Sequence, residues 1–294
     1  MEPKPMNTSS HGIEELDHLM TYVADLDAAG TAYERLGFRL TPVSNIASMG
    51  IANRLVPMRP RTPGAANFIE LMGVADASLL PAPMREVLSG APGIKSMVMM
   101  TGDAQAAHRM LVDAGYPFAA PSHVRREWAI PGEGSVWPEF DVLLPIPAPL
   151  KFNVCQYHNV ELYLREDWLE HPNTAESLLA AIGVASDARS AAAYFERLFG
   201  VAAVRSADGG HAVSPGRTEL VLYEPAAFEA RFGCPAPAAG DGVAYAGMRI
   251  AVRDRDRLAA LLDANGVPHA RVGGIVVDPR SACGNVIEFV ERTP

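Results

Sequence analysis

One unit is written four times along this chain. Each copy opens on a short apolar strand, turns at once into a helix, reaches a glycine and continues into further strands. Such a repeat restricts the fold more than any single motif, because a lone unit leaves an apolar face and sheet edges open. In the first copy Leu16 to Val23 reads as the strand and Asp27 to Leu36 as the helix. Ala29, Tyr33 and Leu36 share one helix face, and Gly37 caps it. Phe38–Val43, Asn53–Met58 and Asn67–Val74 read as three more strands, giving the order β-α-β-β-β.

The second copy opens on Gly93–Met100, with a helix over Ala104–Ala114 closed by Gly115. Strands are expected near Val136–Leu144 and Leu150–Tyr157. Between the helix and these strands Ala119–Gly134, with prolines, glycines and the basic pair Arg125-Arg126, reads as a long loop. The third copy opens on Leu178–Val184, with a helix over Ala188–Leu198 and strands at 201–205, at His211–Val213 and at Thr218–Tyr223. The fourth opens on Tyr245–Val252, with a helix over Asp256–Ala264, Gly266, and strands at 268–272, at 275–277 and at Asn285–Val290.

Alternating strands and helices of this kind make an α+β protein in which units must pair. Two pairs predict a flexible tail at 1–13, a first domain at 14–158, a linker at 159–176 and a second domain at 177–294. Trp168 is expected to anchor that linker and His171 to pin its turn beside Pro172.

Charge narrows the partners. The formal net charge is −9, which disfavours nucleic acid and an anionic membrane surface and leaves a small molecule as the expected partner. A homodimer is compatible with the sequence. Cys155, Cys234 and Cys283 are three, far apart and without CxxC spacing, so a reducing cytoplasmic setting fits and a thiolate metal site does not. The first residues lack a basic stretch followed by an apolar one, and no apolar run is long enough to span a bilayer. GxSxG, Walker and GxGxxG motifs are absent.

The stretch LDHLMTYVADLDAAGTAYERLGF, then Asn53-Arg54-Leu55, then FIELMGV, and later His171-Pro172-Asn173-Thr174-Ala175 resemble glyoxalase-like domain proteins of the vicinal oxygen chelate superfamily. The superfamily includes glyoxalase I, extradiol dioxygenases and bleomycin-resistance proteins. The resemblance runs from Glu14 over nearly the whole chain. It implies four βαβββ units paired into two half-barrels, with a divalent metal held by first-strand and last-strand residues.

Carried over residue by residue, the resemblance makes His18 and Glu70 the metal ligands of the first unit. The equivalent first-strand positions elsewhere are Lys95, Leu179 and Gly247, none a ligand. The last-strand positions are near Gln156, with His158 two residues on, and Glu288. If units one and two pair, Gln156 or His158 completes the site; if one and four pair, Glu288 does. A nitrogen and oxygen shell admits Zn, Fe, Mn, Co or Ni. Arg54 is a candidate for an anionic substrate group, and Glu70 or Glu288 for a general base. Read without the family, His18 is a core histidine, Arg54 a surface arginine and Glu288 an exposed edge residue. Arg125 and Arg126 read as a solvated loop, and Trp128, Trp137 and His123 as its aromatic flank.

Two functions follow. One is a glyoxalase-like metalloenzyme performing isomerisation, lysis or dioxygenation of a small oxygenated molecule, a glutathione thioester being one option. The other is a metal-free cavity that binds a drug-like molecule, which a Lys95–Glu70 ion pair would favour.

Overall fold

A computed structural model of the protein describes residues 12–144, 151–200, 204–207, 209–238 and 242–291. Residues 1–11 of the expected tail, Leu150 and positions 201–203 lie outside the described residues. The first unit is β1 (Ile13–Tyr22), α1 (Leu26–Arg35), β2 (Ser44–Ile46), β3 (Ile51–Pro57) and β4 (Phe68–Val74), followed by α2 (Ala82–Val87). The second is β5 (Gly93–Thr101), α3 (Ala104–Asp113), β6 (Ser122–Arg125), β7 (Trp128–Ile130), β8 (Gly134–Val136), β9 (Glu139–Leu143) and β10 (Phe152–Tyr157). A short α4 (Glu166–Leu169) precedes the third unit: β11 (Ala175–Ala185), α5 (Ala188–Ala193), α6 (Glu196–Phe199), β12 (Val204–Ala207), β13 (Gly210–Val213) and β14 (Glu219–Tyr223). After α7 (Pro225–Phe232) the fourth is β15 (Val243–Val252), α8 (Arg255–Ala264), β16 (His269–Arg271), β17 (Ile275–Val277) and β18 (Val286–Glu291).

Two eight-stranded sheets result, in the orders β2-β3-β4-β1-β5-β10-β9-β6 and β12-β13-β14-β11-β15-β18-β17-β16. Units one and two therefore pair through antiparallel β1 and β5, and units three and four through β11 and β15. Within each unit the first and last strands run parallel. The expected α+β class with two half-barrel-like sheets is what the chain adopts.

An aspartate opens the first helix of every unit. Asp25 accepts from the amides of Asp27 and Ala28, Asp103 from Ala106, Asp187 from Ser190 and Asp254 from Arg257. These N-caps satisfy donors that the first turn leaves open. They also fix the internal alignment. Seven residues before each cap stand His18, Ser96, Ala180 and Gly247. Two of the expected first-strand positions, Lys95 and Leu179, are thus corrected by one residue. β1 and β11 confirm this with matching β-bulges, at Leu16/His18 and at Leu178/Ala180.

The first strands also join the sheets. Each runs past the start of its parallel partner, which pairs only from His18, Ala180 and Met97 on, so amides before those points need another acceptor. Thr218, just before β14, accepts from the Leu16 amide at 2.5 Å, and Asn67, just before β4, accepts from the Leu178 amide at 2.7 Å. Asn67 returns a bond to the Leu178 carbonyl. Asn285, just before β18, accepts from the Ile94 amide. One apolar core lies beneath, shared by the helix-covered faces of both sheets, with Leu16, Leu19, Tyr33, Phe152, Phe195, Ile250 and Phe289 all in it.

Some local expectations fail for identifiable reasons. Phe38–Val43 forms no ladder strand; Phe38 is buried against Tyr33, and Thr41 alone bonds the Leu55 backbone. The presumed loop at Ala119–Gly134 holds β6 and β7, the latter paired with β8 in a hairpin. β11 begins at Ala175, three residues earlier than the periodicity suggests, because Asn173 caps that point through the Ala175 amide. Trp168 and His171 are buried as expected.

Candidate functional site

The inner faces of the two sheets differ. On the second sheet Ala180, Ile182, Val221, Tyr223 and Val286 pack against Phe228 and Phe232 of α7, so this helix fills the face. Glu288 ties it down. Its carboxylate, 1% exposed, accepts from Arg249 on the neighbouring strand at 2.7 Å and from Arg231 of α7 at 2.5 Å. Glu288 is therefore a buried structural anion, neither exposed at an edge nor a partner of His18. Gly247 stands where His18 stands in unit one and can carry no ligand. A Cβ there would meet the Val286 carbonyl oxygen at 2.1 Å. Gly247→Ala is expected to cost about 1–3 kcal/mol in urea unfolding through this overpacking; a neutral result would contradict the assigned backbone approach.

On the first sheet the inner face stays polar. Strand alternation brings His18 and Met20 of β1, Phe68, Glu70 and Met72 of β4, Leu55 and Asn53 of β3, and Tyr157 of β10 onto it. The bulge at Asp17 lets two consecutive side chains meet on this face. Asp17 Oδ1 lies 2.7 Å from His18 Nδ1, and its side chain is fully buried. Tyr157 donates its hydroxyl to the same oxygen at 3.2 Å. Burial and the Asp17 charge push the Tyr157 phenol well up, so it stays protonated and donates. Asp17 at Nδ1 fixes the ring so that its other nitrogen, Nε2, points across the face toward Glu70.

Nε2 faces Glu70, whose Oε2 is 3.9 Å away. Asn53 donates to Glu70 Oε1 at 2.6 Å and orients the carboxylate. His18 stacks on Phe68, with centroids 4.2 Å apart, and Phe68 stacks on Tyr163. Trp128 and Trp168 close the same cluster. His18 and Glu70 keep 11% and 12% of their side-chain surface open, so the mouth is narrow. Three buried polar atoms of this cluster, Asp17 Oδ2, Asn53 Oδ1 and Trp128 Nε1, have no hydrogen-bond partner among the described residues. Buried polar atoms seldom stay unpaired, which marks a place for a polar ligand or water.

The other expected site residues lie elsewhere. Gln156 projects to the helix-covered face, where it bonds the Ala104 amide and the Gly102 carbonyl at the β5–α3 corner. Its neighbour Tyr157 is the one that faces His18, since a slip of one residue reverses the face. His158 sits with Gln156, away from His18, and pairs with Asp141. Arg54 points beneath α1 to the Thr41 carbonyl and Glu34, in the space left by Gly30; its neighbour Asn53 is the inner residue. Lys95 does not meet Glu70. Its amine donates to the carbonyls of Ser89 and Ala91 and sits over the Tyr22 ring. Cys155 is buried with its thiol pushed well up, chiefly by burial and then by Asp17, which disfavours the thiolate. Asp17 and Tyr157 are the residues beside His18 that strand alternation alone conceals, because neither the bulge nor the partner strand's parity is legible in the sequence.

The family-type metal does not fit this site. A chelate centre needs at least three protein ligands, and this face brings two, His18 and Glu70. The second unit places Ser96 where His18 stands and Asn153 where Glu70 stands, since Val98 pairs with Asn153 as Met20 pairs with Glu70; neither is a histidine or a carboxylate, and Gln156 has turned away.

The fold and its polar inner face define a protein of the vicinal oxygen chelate type. A family profile described as "Glyoxalase-like domain" matches residues 16–199, and the chain belongs to that family. No curated protein matches it in sequence. Among solved structures, a hypothetical protein from Staphylococcus aureus is 13% identical, with a TM-score of 0.64 over 94% of this chain and 99% of that one. A mutant 4-hydroxymandelate synthase from Streptomyces coelicolor is 15% identical, with a TM-score of 0.58 over 96% and 93%. A methylmalonyl-CoA epimerase variant from Streptomyces coelicolor, 15% identical, covers 50% of this chain and 99% of its own, with a TM-score of 0.40. At such identities the likeness is one of fold. Among the described residues no helix is long and apolar enough to cross a membrane.

Proposed function

We infer that the inner face of the first sheet binds a small oxygenated molecule and moves a proton on it, as an isomerase or lyase. The observation that supports this most is the buried Asp17–His18 pair aimed at Glu70. His18 Nε2 is the base that takes a proton from a carbon beside a carbonyl. Asp17 holds the ring and stabilises the imidazolium that forms, as a buried carboxylate does in hydrolytic triads. Glu70, steered by Asn53 and 3.9 Å from Nε2, is the second group, placed to pass the proton that His18 takes on to another atom of the substrate. The Phe68–Tyr163 stack supplies a flat apolar wall, and the unpaired Asn53 and Trp128 atoms supply polar contacts. Oxygen-dependent cleavage draws less support, because it needs a metal centre richer in ligands than His18 and Glu70.

A panel of small 2-oxo and 2-hydroxy acids and their thioesters, followed by NMR in deuterium oxide, tests this. Exchange at the carbon beside the carbonyl should fall about 100-fold or more in His18→Ala, and measurably in Asp17→Asn. Exchange that persists unchanged in His18→Ala, or stoichiometric metal in the purified protein that His18→Ala and Glu70→Ala both remove, would sink the reading. Panel members that raise the melting temperature without exchanging would favour the metal-free binding module instead.

A further inference from the structure

On the opposite face of the first sheet, near its edge, β6, β9 and the residue after β10 bring together His123, Asp141 and His158. The geometry points to a transition-metal site here, separate from the inner face. The register dictates the cluster. His123 and Asp141 are direct cross-strand partners, and Asp141 is partnered across β10 by Gln156, two residues before His158. All three side chains therefore fall on one face.

Asp141 Oδ1 is 2.8 Å from His123 Nδ1, and Oδ2 is 3.1 Å from His158 Nε2. One ligand atom from each residue lies within 4.8 Å of both others. In a tetrahedral shell with bonds of roughly 2.0–2.1 Å, neighbouring ligand atoms stand about 3.3 Å apart. The cluster is thus close to a metal-ready spacing without backbone movement.

His123 makes the case sharper. Its other nitrogen, Nε2, lies 3.4 Å from Glu139 Oε1. Both ring nitrogens thus face carboxylates, which only accept. An imidazole that gives its one N–H to Glu139 keeps a lone pair on Nδ1 for a metal. A metal on Nδ1 leaves Nε2–H donating to Glu139, the outer carboxylate that commonly orients a ligating histidine. Arg125, the cross-strand neighbour of Glu139, stacks on Trp137 instead. The His158 amide bonds the Glu139 carbonyl and fixes the third ligand's backbone.

The site takes one divalent ion of the zinc, cobalt, nickel or copper class, bound by His123 Nδ1, His158 Nε2 and Asp141, with water in the remaining positions. It joins edge strand β6 to β9 and the end of β10. The loop that carries Trp128 into the inner face springs from β6, so the ion would clamp the base of that loop.

Untagged, metal-stripped full-length protein is titrated calorimetrically with zinc chloride and nickel chloride. One equivalent should bind, with affinity falling about 100-fold in His123→Ala, His158→Ala or Asp141→Asn, and about tenfold in Glu139→Gln. His18→Ala and Glu70→Ala should leave it unchanged. Cobalt should give a visible absorption band that the His123→Ala/His158→Ala double variant loses. The side chains involved are partly exposed, so the variants should fold; circular dichroism checks this. No stoichiometric binding, binding indifferent to the double variant, or binding lost in His18→Ala would overturn the assignment.

Discussion

Glu288→Ala should lower the stability of the protein by about 3–5 kcal/mol, the cost of breaking a buried ion pair from one side. The carboxylate is 1% exposed and holds Arg249 and Arg231, whose side chains keep 13% and 28% of their surface. Removing it takes away the carboxylate that two partly buried guanidiniums share. Arg231 sits on α7, so the damage should concentrate there, where Phe228 and Phe232 fill the second inner face. Urea unfolding gives the magnitude, and amide exchange over Pro225–Phe232 gives the location. Glu288→Gln, which retains one acceptor, should cost less. A loss below 1 kcal/mol for the alanine variant, with unaltered exchange in α7, would show that packing alone holds the helix. The internal alignment gives this residue further meaning. Gly247 pairs with Val286 as His18 pairs with Phe68, and Glu288 and Glu70 each stand two residues on. The same register position carries a structural anion in one sheet and a solvent-reachable carboxylate in the other.

The second large effect is an acid sensitivity centred on His171. This residue is buried between the first unit and the start of β11. It accepts from the Arg39 amide at Nδ1 and donates from Nε2 to the Pro57 carbonyl. Phe38 packs edge-on to the ring. Both nitrogens are thus committed to the neutral form, and burial, with Arg39 and Arg253 nearby, lowers its pKa to about 4, against the partial opposition of Pro57 and Glu170. The unfolded chain takes up this proton near pH 6.5, the folded one only near pH 4. Between those values the unfolded state binds more protons, so stability falls as pH drops through that window. The full loss is about 3 kcal/mol. His171→Gln should flatten the fall in urea-derived stability between about pH 7 and 4.5, relative to the wild type, by roughly 2 kcal/mol. An equally steep fall in the variant would assign the effect to other groups.

Much of the architecture is legible in the chain because its signals are local. Apolar periodicity places β1, α1, β4, β5, α3, β15 and α8 within a few residues, and glycines mark helix ends. The four Asp caps are in the sequence too, and counting from them rather than from the last apolar residue puts Ser96 and Ala180 in register. The candidate site was legible only in part. His18 and Glu70 were visible as polar residues in apolar strands. Asp17 was not, because alternation assigns it to the opposite face from His18, and only the bulge overturns that. Arg54 and Gln156 each stand one residue from the true inner residue, Asn53 or Tyr157, and a strand's parity is set by its partner strand.

The sequence by itself determined the unit, its fourfold repetition, the α+β class and the asymmetry that leaves a histidine on one first strand alone. Those depend on interactions spanning a few residues along the chain. The tertiary structure decided that unit one pairs with unit two, that Glu288 anchors α7, and that Lys95 leaves Glu70 free. It also drew His123, Asp141 and His158 together from two strands and the residue that follows a third. Each of these rests on pairing between distant segments, where register, bulges and backbone contact such as that at Gly247 choose which side chains meet.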